Sequence, residues 1–157
     1  ENGKTYFENA LIKAKALQKV TTMPIIADDS GIEIASMNNK PGIHTARYAE
    51  SFKDKYQGAF KEILSNIEGK DRSARFVCDI VLLNVEEKPL LFEGIVPGHI
   101  NDTPVGENGF GYDPIFVCDE LNKCYALLTS EEKNKVSHRA KALKKLLTYL
   151  KINRLAI

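Results

Sequence analysis

Near the start of the chain, apolar residues recur at helical spacing. Leu11, Ala14 and Leu17 fall on one face of a segment from Phe7 to Lys19, which predicts an amphipathic helix. Thr5 and Glu8 stand at the spacing of a capping box, in which each side chain satisfies a free backbone donor. Pro24 stops the helix. Ile25 to Ala27 then reads as a short buried strand that delivers Asp28-Asp29-Ser30-Gly31 to its C-terminal end, and Ile32 to Ala35 reads as another short strand. Asn38 to Gly42 has turn chemistry. A second helix is predicted where Phe52, Tyr56, Ala59, Phe60, Ile63, Leu64 and Ile67 repeat before Gly69.

The pattern then changes from helical to extended. Ser73 to Val85 and Leu90 to Val96 predict long strands, joined as a hairpin around Glu86 to Pro89. Asn108 to Pro114 is too rich in glycine for either regular form, and a strand from Ile115 to Cys118 follows. Thr129 to Glu132 marks a helix start. Ser137 is an N-cap for a last helix lined by Leu143, Leu146, Leu147 and Leu150. The expectation is one α/β domain over residues 1–157, with a mixed sheet flanked by helices.

Composition narrows the picture only a little. At 157 residues, 43% hydrophobic and 27% charged, the chain belongs with ordinary globular domains. A formal charge of +1 supplies no overall field toward nucleic acid or an anionic membrane, so neither is expected as a partner. No apolar run reaches the roughly 18 to 20 residues of a membrane helix. Cys78, Cys118 and Cys124 contain no C-x-x-C pair and sit among apolar residues, which reads as buried thiols in a reducing, cytoplasmic setting.

Candidate chemistry lies in a few places. Adjacent carboxylates at Asp28 and Asp29 after an apolar strand are costly without a compensating cation. Alternating side-chain direction would let one bind a metal while the other orients its water or a basic side chain, and Mg²⁺ favours such oxygen ligands. An acidic turn that caps backbone amides would read the same way locally. Phe110, on a loop that should be exposed, can stack on a base while Asp113 bonds its edge; packing of Phe110 into the core is the competing reading. Lys133, His138 and Arg139 bring donors to an expected helix start, or else belong to a solvated basic helix. Lys13 is a surface lysine unless its helix faces Asp28 and Asp29, where it becomes a phosphate ligand. Carboxylates for a metal, an aromatic clamp and a donor cluster are together the parts of a nucleotide-cleaving site.

These motifs resemble, in order, those of the inosine triphosphate pyrophosphatases. Glu1 to Ala10 with Lys13-Ala14 resembles E-x-G-x-T-F-x-E-N-A-x-x-K-A; Asp28 to Gly31 matches D-D-S-G. Pro41 to Tyr48 is similar to P-G-x-x-S-A-R-Y, with Thr45 in place of serine; Gly109 to Pro114 is similar to G-F-G-Y-D-P, and Lys133 to Arg139 to K-x-x-x-S-H-R. The resemblance implies an elongated α/β fold, a homodimer, and Mg²⁺-dependent cleavage of ITP, dITP or XTP between the α and β phosphates. It implies that Glu1 and Asp29 lie near the metal, with Asp29 activating water and Asp28 in support. Lys13 would contact phosphate and Ser30 the substrate. Phe110 would stack on the purine, Gly111 and Tyr112 of the same loop would also bind substrate, and Asp113, Lys133, His138 and Arg139 would read the base edge. The family's leading strand and T-x-N-x-x-K loop have no counterpart here. The expectation is therefore a fragment or a chain without that phosphate grip, with little turnover of its own and, as the alternative function, nucleotide binding or dimerisation without catalysis. A pyrophosphatase of the related septum-inhibitor class is disfavoured by Ser137-His138-Arg139.

Overall fold

The computed structural model describes residues 2–54, 56–106 and 108–153. Its elements are α1 (Tyr6–Gln18), β1 (Ile25–Ile34), β2 (Lys40–Pro41), α2 (Thr45–Glu50), α3 (Tyr56–Asn66), β3 (Ser73–Leu83), β4 (Leu90–Ile100), β5 (Phe116–Cys118), β6 (Lys123–Cys124), α4 (Ser130–Val136) and α5 (His138–Ile152). The strands form a 6-stranded sheet in the order β2-β1-β3-β4-β5-β6.

A sheet with helices was expected, and a mixed one in particular. Every pairing among the described strands is instead antiparallel. The reason lies in the connection between β1 and β3. It leaves at Ile34 and returns opposite it at Ala74, so α2 and α3 are an excursion from one end of the sheet and not a crossover.

The Asp-Asp-Ser-Gly segment does not stand at the end of a short strand. It lies within β1, where Asp28 to Gly31 pair with Ile80 to Val77 of β3. Side-chain alternation then splits the strand between both faces of the sheet. Ile25 and Ala27 pack with Ala10 and Ala14 of α1 and with Val81 and Leu83. On the opposite face Cys78, Ile80 and Leu82 meet Ala142, Leu146 and Leu150 of α5. The larger core lies at that face's other end, where Ile32, Ile34, Phe76 and Val96 join Phe60 and Ile63 of α3 and Phe116 and Tyr125.

Helix starts follow the local chemistry. Thr5 accepts from the Glu8 amide at 3.0 Å, but Glu8 reaches back to the Lys4 amide, so the expected box closes one residue early. Thr129 and Glu132 form a complete capping box. Ser137 caps α5 by accepting from the Ala140 amide at 3.0 Å. The second predicted helix begins only at Tyr56, because Phe52 instead packs edge-on against Tyr48 of α2 at 5.1 Å. The start of α5 lies very close to β4 at Gly94, where any Cβ would strike the His138 carbonyl. That glycine sets how deeply the start of α5 can sit against the sheet.

Candidate active site

Because β1 alternates, its adjacent carboxylates meet different cations. Asp28 faces α5 and accepts from Arg139 Nε at 2.8 Å. Asp29 faces α1, its Oδ1 3.8 Å from Lys13 Nζ. Lys13 therefore faces Asp29 but not Asp28, which lies on the other side of the sheet, and the acidic segment is a ladder-bonded strand and not a capping turn.

On the α5 side lies a cleft of about 640 Å³. Ser30, Gly31 and Phe76 line it from the sheet; Gly109 to Asp113 contribute a loop, and Lys133, His138 and Arg139 the helical wall. Phe110 is 74% exposed and does not pack into the core. Its backbone amide donates to Asp113 Oδ2 at 2.9 Å, and the same oxygen holds the Lys133 ammonium. Gly109 makes this turn possible, since its φ of 74° is left-handed and a Cβ there would strike the Asp113 carboxylate. The Lys133 ammonium also lies over the Phe110 ring, 4.3 Å from its centroid. A buried ion pair hydrogen-bonded in this way costs little while intact and much when one partner is removed. Tyr112 lines the cleft but is 4% exposed, and its hydroxyl donates to the Thr45 carbonyl at 2.6 Å. It braces the loop against α2.

His138 opens α5 and stacks on Phe76 at 4.6 Å with an interplanar angle of 9°. Burial, reinforced by the positive charges of Arg139 and Lys133, lowers its pKa to about 3. The imidazole is therefore neutral, with one donor and one acceptor nitrogen. Its Nδ1 is buried with no hydrogen-bond partner among the described residues. A buried polar atom without a partner is costly.

The α1 side carries the opposite kind of surface. Asp29, Asp79 and Glu93 stand directly opposite one another across β1, β3 and β4. Asp79 is 4% exposed, and its Oδ1 has no hydrogen-bond partner among the described residues. Burial first, then a hydrogen bond and charge from Glu93 and the charges of Asp29 and Glu33, push its carboxyl well above the usual range. Oxygen donors with this much negative potential suit a hard divalent cation. No group of three or more His, Cys, Asp or Glu among the described residues forms a complete ligand set. Asp29 would therefore need outside oxygens, and Mg²⁺ commonly takes them from substrate phosphates. Glu1, the other expected ligand, lies outside the described residues.

Sequence reasoning overlooked Phe76, Tyr125, Asp79 and Glu93. Asp79 had a signal, a lone charge inside the apolar run from Phe76 to Leu83. Phe76 and Tyr125 had none, because their importance comes from what they stack on.

The Ham1 family model matches residues 1–149. The dITP/XTP pyrophosphatase of Treponema denticola is 45% identical over 154 residues, covering 96% of this chain and 79% of that protein. The Bacillus subtilis protein of the same name is 46% identical over 149 residues, covering 93% and 75%. Among solved structures, the Staphylococcus aureus Ham1 protein superposes with a TM-score of 0.89 at 40% identity over 98% of this chain and 80% of that one. A HAM1 protein from Coxiella burnetii gives 0.87 at 41% identity over 96% and 79%. Motif order, sheet, cleft and these matches agree: the chain belongs to the Ham1 family, the inosine triphosphate pyrophosphatases that its motifs resemble.

Proposed function

We propose that this protein hydrolyses deaminated purine nucleoside triphosphates (dITP, XTP and ITP) to the monophosphate and pyrophosphate, clearing them from the nucleotide pool. The observation that carries this reading is the cleft wall, where a neutral His138, Lys133 and Arg139 stand with the exposed Phe110 ring. The Treponema denticola and Bacillus subtilis relatives are dITP/XTP pyrophosphatases, which supports the same substrate class.

In this reading the purine stacks on Phe110, and its 6-oxo acceptor meets the donors of the wall. Adenine presents a 6-amino donor at that position and would leave them unpaired, a mismatch worth several kcal/mol in a buried site. Asp113 holds Lys133 in place. On the other face of β1, Lys13 contacts phosphate and Asp29 receives the proton of the attacking water. Water adds to the α-phosphorus, the bond from that phosphorus to the bridging oxygen breaks, and pyrophosphate leaves. Mg²⁺, held by Glu1, Asp29 and the phosphate oxygens, would supply charge neutralisation for the leaving group.

The remaining features of the reading are a single domain over residues 1–157, a cytoplasmic setting and a homodimer. No helix among the described residues is long and apolar enough to cross a membrane. Leu17, Val20 and Met23 expose apolar surface that a second copy can cover, which light scattering across a dilution series would check. The decisive assay is pyrophosphate release from dITP, XTP, ITP and ATP with Mg²⁺ varied. Mg²⁺-dependent turnover that favours the 6-oxo purines supports the reading. Equal turnover of ATP refutes the base pocket, and tight ITP binding without turnover points to nucleotide binding alone.

A further inference from the structure

Phe76 lies in β3 opposite Ile32 on one side and Val96 on the other, with its ring lining the cleft. Three of its neighbours are aromatic in the broad sense. The His138 imidazole lies parallel to it at 4.6 Å, and the Tyr125 ring lies parallel at 5.5 Å with an interplanar angle of 5°. Phe116 meets it edge-on at 4.6 Å. Through these contacts one side chain backs both ends of the donor wall. His138 opens α5, while Tyr125 donates to the Val136 carbonyl of α4 at 3.3 Å and lies 5.5 Å beneath the Lys133 ammonium.

We propose that Phe76 is a positioning residue for base recognition, holding the His138 imidazole in one plane at the cleft wall and shielding its buried edge from water. The inference rests on the base-pocket reading above. Its physical basis is the softness of the torsion that turns an imidazole about its own axis, which has broad wells and little preference of its own. A flat aromatic face restricts that rotation, because stacking is retained only while the planes stay parallel. A branched aliphatic side chain fills similar space but leaves the ring free to turn. The charged groups that face His138 are Lys133 of α4, Arg139 of its own helix and Asp28 of β1, the first two opposing protonation and the third favouring it. From β3 the ring faces Phe76. Opening that contact to water makes an imidazolium easier to form, since burial is the main reason it does not form in the intact site.

The test compares wild type, Phe76→Leu and Phe116→Leu in the same protein. Phe116 belongs to the same core and touches Phe76, but none of its ring contacts is with His138, so it reports the cost of core damage alone. Steady-state kinetics with ITP and ATP are read beside an NMR titration of the His138 ring protons. In Phe76→Leu the KM for ITP should rise about fivefold to tenfold, with kcat held within about twofold and the ITP-over-ATP preference narrowed by a similar factor. His138, whose pKa burial lowers to about 3 in the intact site, should acquire a titration between about pH 5 and 6.5 in the variant. Phe116→Leu should leave the KM ratio and the titration as in wild type. An unaltered KM ratio and titration in Phe76→Leu, or the same changes in Phe116→Leu, overturns the inference. A wild type with no preference for ITP over ATP removes the base-pocket reading and this inference with it, whereas a selective wild type beside an unaltered Phe76→Leu removes only the inference.

Discussion

The two faces of β1 solve opposite problems. On the α5 face the charges are already matched: Asp28 with Arg139, Asp113 with Lys133, and a His138 kept neutral between them. On the α1 face Asp29, Asp79 and Glu93 crowd one row with Lys13 as the cation beside Asp29, and the Asp79 carboxyl is pushed toward its protonated form. The first face is paired before any ligand arrives, and in the proposed reading this suits selectivity for a base edge, since a donor that must reorganise discriminates poorly. The second concentrates like charge in one row, and in the proposed reading it is where a cation and phosphates would bind. In the proposed reading the nucleotide uses both, and one strand supplies them by alternating.

Breaking the matched face should have the largest effect. Asp113→Ala strands a mostly buried Lys133 ammonium and releases the Phe110 amide, and should cost about 3 to 5 kcal/mol of folding stability by urea denaturation. A loss under 1 kcal/mol would mean that the pair is solvated and the face less preorganised than described. Next comes the incomplete face. Asp29→Asn keeps shape and removes charge, and should lower kcat for ITP by about a hundredfold or more while the melting temperature holds or rises. Wild-type kcat in that variant would remove Asp29 from the chemistry. Phe110→Ala separates recognition from folding, because its ring is exposed. Its KM for ITP should rise by about tenfold, the equivalent of about 1.4 kcal/mol of stacking, with stability changed by less than about 0.5 kcal/mol.

The smallest expected effect is the most specific to the acidic row. A carboxyl whose folded pKa lies above its unfolded value binds its proton more tightly when folded, so its contribution to stability is lost as pH rises. For Asp79 the window runs from the ordinary carboxylate range to about 8. The urea midpoint should therefore fall between about pH 5 and pH 8.5, Asp79→Val should flatten that slope, and the variant should be the more stable form at pH 8.5 by about 1 kcal/mol. An unchanged slope in Asp79→Val would assign the pH dependence to another group.

Much of this molecule was legible in its sequence because the signals are local. Thr129-Ser130-Glu131-Glu132 and Ser137 start helices through hydrogen bonds that span three residues, and these form as expected. The β3-β4 hairpin follows from apolar runs joined by a short polar turn, with Asn84 taking a left-handed φ of 67°. The motif residues Lys13, Asp28, Asp29, Phe110, Lys133, His138 and Arg139 were all identifiable by type and spacing. What each one faces was not identifiable, because strand register joins residues far apart in the chain. Only the pairing of β1 with β3 drew the Asp-Asp-Ser-Gly segment into the middle of a strand and sent its carboxylates to opposite faces. Only the same ladders set Asp79 between Asp29 and Glu93, and only the close approach of α5 at Gly94 brought His138 onto the ring of Phe76. The sequence by itself determined which chemical groups this protein has and where the capped helices α4 and α5 begin. The tertiary structure decided which of them meet, because charge pairing, burial and stacking depend on distance in space and not along the chain.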